Sequence, residues 1–133
     1  MLIVVDTNVI VSGLINPHGS PGRVVDLIVS NSVQLAFDDR VLDEYEEVLT
    51  REPFSFHRRR VAALLDHVRL TGTQVSSAPL PPGKYPDASD LPFAEVAVTA
   101  GVAIVVTGNK SHFSFLMSYN IEILSPSDFL LRI

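Results

Sequence analysis

A chain of 133 residues, 47% hydrophobic and 19% charged, carries enough apolar side chain for one buried core and too few charges for a disordered segment. The absence of cysteine excludes disulfides, thiolate zinc sites and a cysteine nucleophile, and the formal net charge of −5 speaks against an overall basic footprint for nucleic acid. No apolar run approaches the roughly 18 residues of a membrane span, and the opening residues lack a basic signal-peptide region, so the expectation is one soluble, cytoplasmic domain.

Leu2, Ile3, Val4 and Val5 form an unbroken run rich in β-branched residues, the pattern of a strand buried on both faces of a parallel sheet. It ends in a carboxylate. Asp6-Thr7-Asn8 marks the handover to a helical segment over Val9–Ile15, and the turn-rich stretch from Asn16 to Gly22 closes that helix. Ser20 followed by Pro21 fits an N-cap with proline at the first helical position, opening a helix to about Ser30. Val33–Phe37 reads as a second strand.

Asp38 or Asp39 can cap a helix over Arg40–Arg51, in which Val41, Leu42, Tyr45, Val48 and Leu49 make one apolar stripe. At about 100° per residue, Asp43 and Glu47 point away from that stripe while Glu44 and Glu46 flank it. Only a flanking carboxylate can be half-buried over a cleft. Pro53 breaks the helix, and His57–Leu70 forms the next, with Val61, Leu64, Leu65 and Val68 inside and Arg58, Arg59 and Arg60 at its start. Cations there oppose the helix dipole by a few tenths of a kcal/mol or more each, roughly, which points to a partner.

Thr73–Ser76 is a third strand, followed by a proline-rich loop over Ala78–Pro86. Ser89 or Asp90 caps a helix reaching Ala100; its apolar residues lie all round it, so it should be central, and Gly101 ends it. Ala103–Val106 is a strand of the same kind as the first and ends in Thr107-Gly108-Asn109-Lys110. Ile121–Leu124 is the last strand, and Ser125-Pro126-Ser127-Asp128 leads into a short terminal helix. The alternation predicts an α/β fold, a three-layer α/β/α sandwich around a central parallel sheet of about five strands.

Such a sheet brings Asp6 and the Thr107–Asn109 cluster to one edge, and Asp90 opens the helix that feeds that edge. With a flanking acid of the Arg40–Arg51 helix, these make a nest of hard oxygen donors suited to Mg²⁺ or Mn²⁺ rather than zinc. Unpaired, three neighbouring carboxylates raise one another's pKa; a divalent ion resolves the conflict and equips the site for phosphodiester hydrolysis. The competing readings are Asp6 as a helix cap, Asp87 in place of Asp90, Glu46 in place of Glu44, and Asn109 as a left-handed turn residue. Glu95, one turn beyond Asp90, either reaches the site or bonds locally. His18, His57, His67 and His112 show no metal-ligand spacing, and His57 and His67 are expected at exposed helix positions. Lys110 and His112 lie where a phosphate would approach. No glycine-rich phosphate loop follows any strand.

Four segments carry a family likeness: Asp6-Thr7-Asn8-Val9-Ile10 after its strand, Glu44-Tyr45-Glu46-Glu47-Val48-Leu49, the run from Asp87 to Glu95, and Val106-Thr107-Gly108-Asn109. In order and spacing they resemble the motifs of PIN domains, and the chain is similar to the broad VapC-like group of bacterial and archaeal toxin components. The resemblance implies a Mg²⁺- or Mn²⁺-dependent ribonuclease, restrained by an antitoxin protein and assembling as a homodimer. It implies Asp6, Glu44 and Asp90 as metal-binding acids, with Thr7 and Asn8 supporting the first of them and Thr107 a further supporting residue. Asn109 stands where the fourth position is usually aspartate, which removes one negative charge and leaves one or two metals open. Two functions follow: an endoribonuclease toxin whose Arg58, Arg59, Arg60 and Lys110 contact RNA, or a catalytically weak or inactive PIN-fold module that binds RNA or protein.

Overall fold

The computed structural model describes residues 1–133. Five parallel strands, β1 (Leu2–Val5), β2 (Gln34–Phe37), β3 (Thr73–Gln74), β4 (Ile104–Val106) and β5 (Glu122–Leu124), lie in the order β3-β2-β1-β4-β5. The strand met first in sequence is therefore the central one, and three of its four residues, Ile3 to Val5, are buried. That position explains the unbroken apolar run, since both faces are covered by helices.

Seven α-helices cover the sheet: α1 (Thr7–Ile15), α2 (Ser20–Val29), α3 (Asp39–Leu49), α4 (Arg58–Thr71), α5 (Leu91–Ala100), α6 (Lys110–Phe113) and α7 (Pro126–Arg132). On one side α2 packs against α1, α4 and α7; on the other α5 lies across β1 and β2. The result is the three-layer α/β/α sandwich, and one continuous cluster of 31 buried residues runs through it. Glycines let α2 sit close to α1 and to the loop between them: a Cβ on Gly13 would meet Val25 Cγ2 at 2.7 Å, and one on Gly22 would meet the Pro17 carbonyl oxygen of the loop at 2.2 Å. No helix is long and apolar enough to cross a membrane.

Register places the site. Leu2 pairs with Gln34 and Ile3 with Leu35 on one side of β1, while Val4 pairs with Val105 and Val5 with Val106 on the other. The residues that follow the three strands, Asp38, Asp6 and Thr107, consequently stand side by side on the carboxyl edge, and all three are buried. In open parallel sheets that edge is where ligands gather.

Several boundaries differ from the sequence reading, each for a local reason. Asp38, not Asp39, caps α3, accepting the Val41 amide at 3.0 Å. Neither Ser89 nor Asp90 caps through its side chain; Asp87 does, on a 3₁₀ turn over Ala88–Asp90 that precedes α5. The third strand is only two residues long. The segment after Asn109, which carries no clear helical period, forms α6 and a 3₁₀ stretch over Ser114–Tyr119, anchored by the fully buried Phe113 and Leu116. A 3₁₀ turn over Glu52–Phe54 is likewise too short to carry a helical stripe. His67 is half-buried rather than exposed, its ring Nε2 lying 3.0 Å from the Ile28 carbonyl oxygen.

Candidate metal centre

Asp6 occupies the capping position of α1, yet its side chain makes no cap bond there. Instead its Oδ2 accepts the Thr107 hydroxyl at 2.8 Å, and its backbone amide donates to the Val106 carbonyl at 2.9 Å. With 6% of its surface exposed, Asp6 is a carboxylate taken almost wholly out of water. Burial pushes its pKa above the ordinary aspartate value and the charge of Asp90 adds to the rise, against the Thr107 hydroxyl and the Thr7 amide.

Glu44 is the flanking acid that turns toward this edge. It is half-buried, and its carboxylate accepts the hydroxyl of buried Thr7. Burial is the main cause of its raised pKa, and the charge of Asp6 contributes. The competing acid, Glu46, is exposed and lies 3.6 Å from Arg69. Next to Glu44, the fully buried Tyr45 donates its hydroxyl to the Val5 carbonyl, pinning α3 to the end of the central strand. Burial raises the Tyr45 pKa well above its usual value, with Asp6 and Glu44 reinforcing the effect.

Asp90 is raised by burial and by the charges of Asp87 and Glu44, against the pull of His112. Its Oδ2 lies 3.1 Å from His112 Nδ1. The donor atoms of Asp87, Asp90 and His112 all fall within 4.8 Å of one another, a spacing that can hold a metal ion. Asp87 itself is held below the usual range by the Ser89 hydroxyl and amide, which both bond its Oδ1. The sequence reading admitted no histidine to the acidic nest. His112 enters because α6 turns it back over Asp90, and α6 was not legible.

The remaining residues divide clearly. Asn8 Oδ1 accepts the Gly108 amide at 3.3 Å, and the Thr107 hydroxyl also accepts the Asn109 amide at 3.0 Å, so both steady the loop after β4. Asn109 is exposed at the capping position of α6, with φ −123° rather than a left-handed value and no side-chain cap bond. Glu95 bonds to two other segments of the chain: one oxygen accepts from Arg40 at 2.8 Å and the other from the Leu80 amide at 2.9 Å. Arg58, Arg59 and Arg60 are exposed at the start of α4, which His57 caps by accepting the Arg59 amide at 3.2 Å. Arg58 lines a groove between α3 and α4, together with Glu46, Thr50, Asp66 and Arg69; none of the acids at the sheet edge lines it. Lys110 is exposed, 3.4 Å from Asp128.

A polar residue that sequence reasoning passed over as more than a cap is Asp38. Burial alone would raise its pKa, but bonds from Arg40, the Val41 amide and the Ser77 hydroxyl together bring it below the usual value. Its neighbour on the edge, Asp6, has no such cationic partner. The donor set there, carboxylates with an adjacent imidazole and no thiol, fits a divalent cation of the Mg²⁺ or Mn²⁺ kind.

A family model described as PIN domain matches residues 2–111. Over 31 residues, 23% of this chain and 20% of the relative, the sequence is 52% identical to an uncharacterized protein of Methanocaldococcus jannaschii. The match thus spans about a fifth of that relative's length.

Proposed function

The chain belongs to the PIN domain family, and on that premise we propose that it is a divalent-metal-dependent endoribonuclease, the toxin of a toxin–antitoxin pair. The observation that carries the reading is the electrostatic coupling of Asp6, Glu44 and Asp90, acids from three separate elements, of which Asp90 stands with Asp87 and His112 in a group whose donor atoms fall within 4.8 Å of one another. Burial holds each above its ordinary pKa, and the charges act on one another. Such an arrangement is costly without a cation and favourable with one.

Asp6, Glu44 and Asp90 would hold Mg²⁺ or Mn²⁺. When bound, the ion supplies a water of lowered pKa and positive charge opposite the phosphoryl transition state. The protein's part is orientation. Thr107 bonds one oxygen of Asp6, and Thr7 bonds the Glu44 carboxylate, so each acid is held in place by a hydroxyl. Asn8 holds the Gly108 amide and thereby the loop that carries Asn109 and Lys110. Lys110 and the Arg58–Arg60 run supply exposed positive charge for RNA phosphates, which fix register without reading sequence. An antitoxin protein covering this edge would block access, and a second copy of the chain is the expected partner in solution.

Asn109 favours a second reading, a PIN-fold module with weak or no catalysis that binds RNA or protein, because the usual fourth carboxylate is missing. Cleavage of labelled RNAs by purified protein in Mg²⁺, Mn²⁺ or chelator, beside an Asp6→Asn/Asp90→Asn variant, separates the two. Metal-dependent cleavage lost in the variant supports the nuclease. Absence of cleavage with the fold intact supports the binding module.

A further inference from the structure

We propose that His112 is a direct imidazole ligand of the metal, acting with Asp90 and Asp87 on the side of the site where Asn109 provides no charge. The inference rests on the metal-dependent reading above and adds to it a nitrogen donor that the acidic motifs do not contain.

Three observations converge on this residue. His112 Nδ1 and Asp90 Oδ2 are 3.1 Å apart. That is the length of the hydrogen bond they make, and it is also close to the roughly 3.0 Å between neighbouring ligands about 2.1 Å from an octahedral ion, so a cation can take the place of the shared proton with little movement of either group. Second, Asp87 places a donor oxygen within 4.8 Å of both. Its Oδ1 is occupied by the Ser89 amide and hydroxyl, which fixes the carboxylate and leaves Oδ2 for another partner. Third, the turn that carries Asn109 also carries the imidazole: the His112 amide donates to the Asn109 carbonyl at 3.0 Å. The exposed Asn109 side chain makes no cap bond, whereas the half-buried His112 ring is held against Asp90.

A neutral imidazole has a chemical consequence for the choice of ion. Nitrogen is a borderline donor, favoured more by Mn²⁺ and the later transition metals than by Mg²⁺, which prefers oxygen. Substituting imidazole for a fourth carboxylate therefore shifts the site toward Mn²⁺ while lowering its total negative charge.

The test uses the full chain without added histidines and Mn²⁺ as the probe. Pulsed electron paramagnetic resonance of bound Mn²⁺ reports directly coordinated imidazole through its ¹⁴N couplings, independently of any cleavage. Wild-type protein is expected to show these couplings, and His112→Gln to lose them, with Mn²⁺ affinity falling about tenfold and the preference for Mn²⁺ over Mg²⁺ narrowing. Bound Mn²⁺ without ¹⁴N couplings, or couplings unchanged in His112→Gln, overturns the assignment of His112 and leaves the metal-dependent nuclease standing. Failure of the wild-type chain to bind Mn²⁺ at all overturns both.

Discussion

The hydroxyl of Thr107 donates to Oδ2 of Asp6 at 2.8 Å, joining two buried residues that are 101 positions apart in the chain. Each stands immediately beyond a strand, and the two strands are neighbours at the centre of the sheet. The bond thus ties the first candidate acid to the loop that carries Asn109. Thr107→Val keeps the shape and removes the donor, leaving a buried carboxylate less well satisfied. The expected loss of stability is about 1–3 kcal/mol, with Thr107→Ser near wild type, measured by urea denaturation. An unaltered midpoint in the valine variant would mean that the bond does not support Asp6.

Asp6→Asn should make the metal-free protein more stable at neutral pH, not less. The amide oxygen still accepts from Thr107, while the buried charge that Asp90 and Glu44 oppose is gone. The same substitution should abolish stabilisation by Mn²⁺ and metal-dependent cleavage. Thermal unfolding with chelator and then with metal reads both effects; a destabilised variant in chelator would show that the carboxylate is satisfied without an ion.

The pH dependence has a definite sign. Asp6, Glu44 and Asp90 have raised pKa values, so the folded state binds their protons more tightly than the unfolded chain does. For these groups stability falls as pH rises from the ordinary carboxylate range through the raised values. Asp38 and Asp87 are lowered, and what they contribute is present above the ordinary range and lost as pH falls through their lowered values. Metal-free protein should therefore lose stability as pH rises out of the ordinary carboxylate range, and saturating divalent metal should abolish that decline. Thermal midpoints over that rise in pH, with chelator or Mn²⁺, make the comparison.

Glu95 is a brace for the proline-rich loop rather than a fourth acid. Glu95→Ala leaves the Leu80 amide without its acceptor and the Arg40 guanidinium with Asp38 alone as carboxylate partner. Because Arg40 is half exposed, the ion-pair share is small and the total expected cost is about 1–2 kcal/mol. Faster proteolysis within Ala78–Pro86 should accompany it, with Mn²⁺ affinity unchanged by calorimetry. A large loss of metal affinity would return Glu95 to the site.

Asn109→Asp should tighten Mg²⁺ binding while changing stability by no more than about 0.5 kcal/mol, since the side chain is exposed and caps nothing. Titration calorimetry decides it. Unchanged or weaker affinity would show that this position does not face the ion.

What the sequence determined by itself is what short-range pattern can encode. Unbroken β-branched runs at Leu2–Val5 and Ala103–Val106 mark strands with two covered faces, and the stripe of α3 leaves Glu44 on its flank, so the parallel fold and the separation of Glu44 from Glu47 follow from periodicity. The motif order then carries the family. Tertiary structure decided which polar groups meet. Asp6 stays open to the competing reading of a helix cap until the β1–β4 register sets Thr107 beside it, and Glu95 stays open between the site and a bond elsewhere until the Arg40 guanidinium and the Leu80 amide claim it. His112 joins Asp90 only because a single helical turn, too short to show a period, is held in place by Phe113 and Leu116 in the core. Hydrogen bonds and charge coupling depend on distances of a few ångströms between residues far apart in sequence, and only packing and register set those distances.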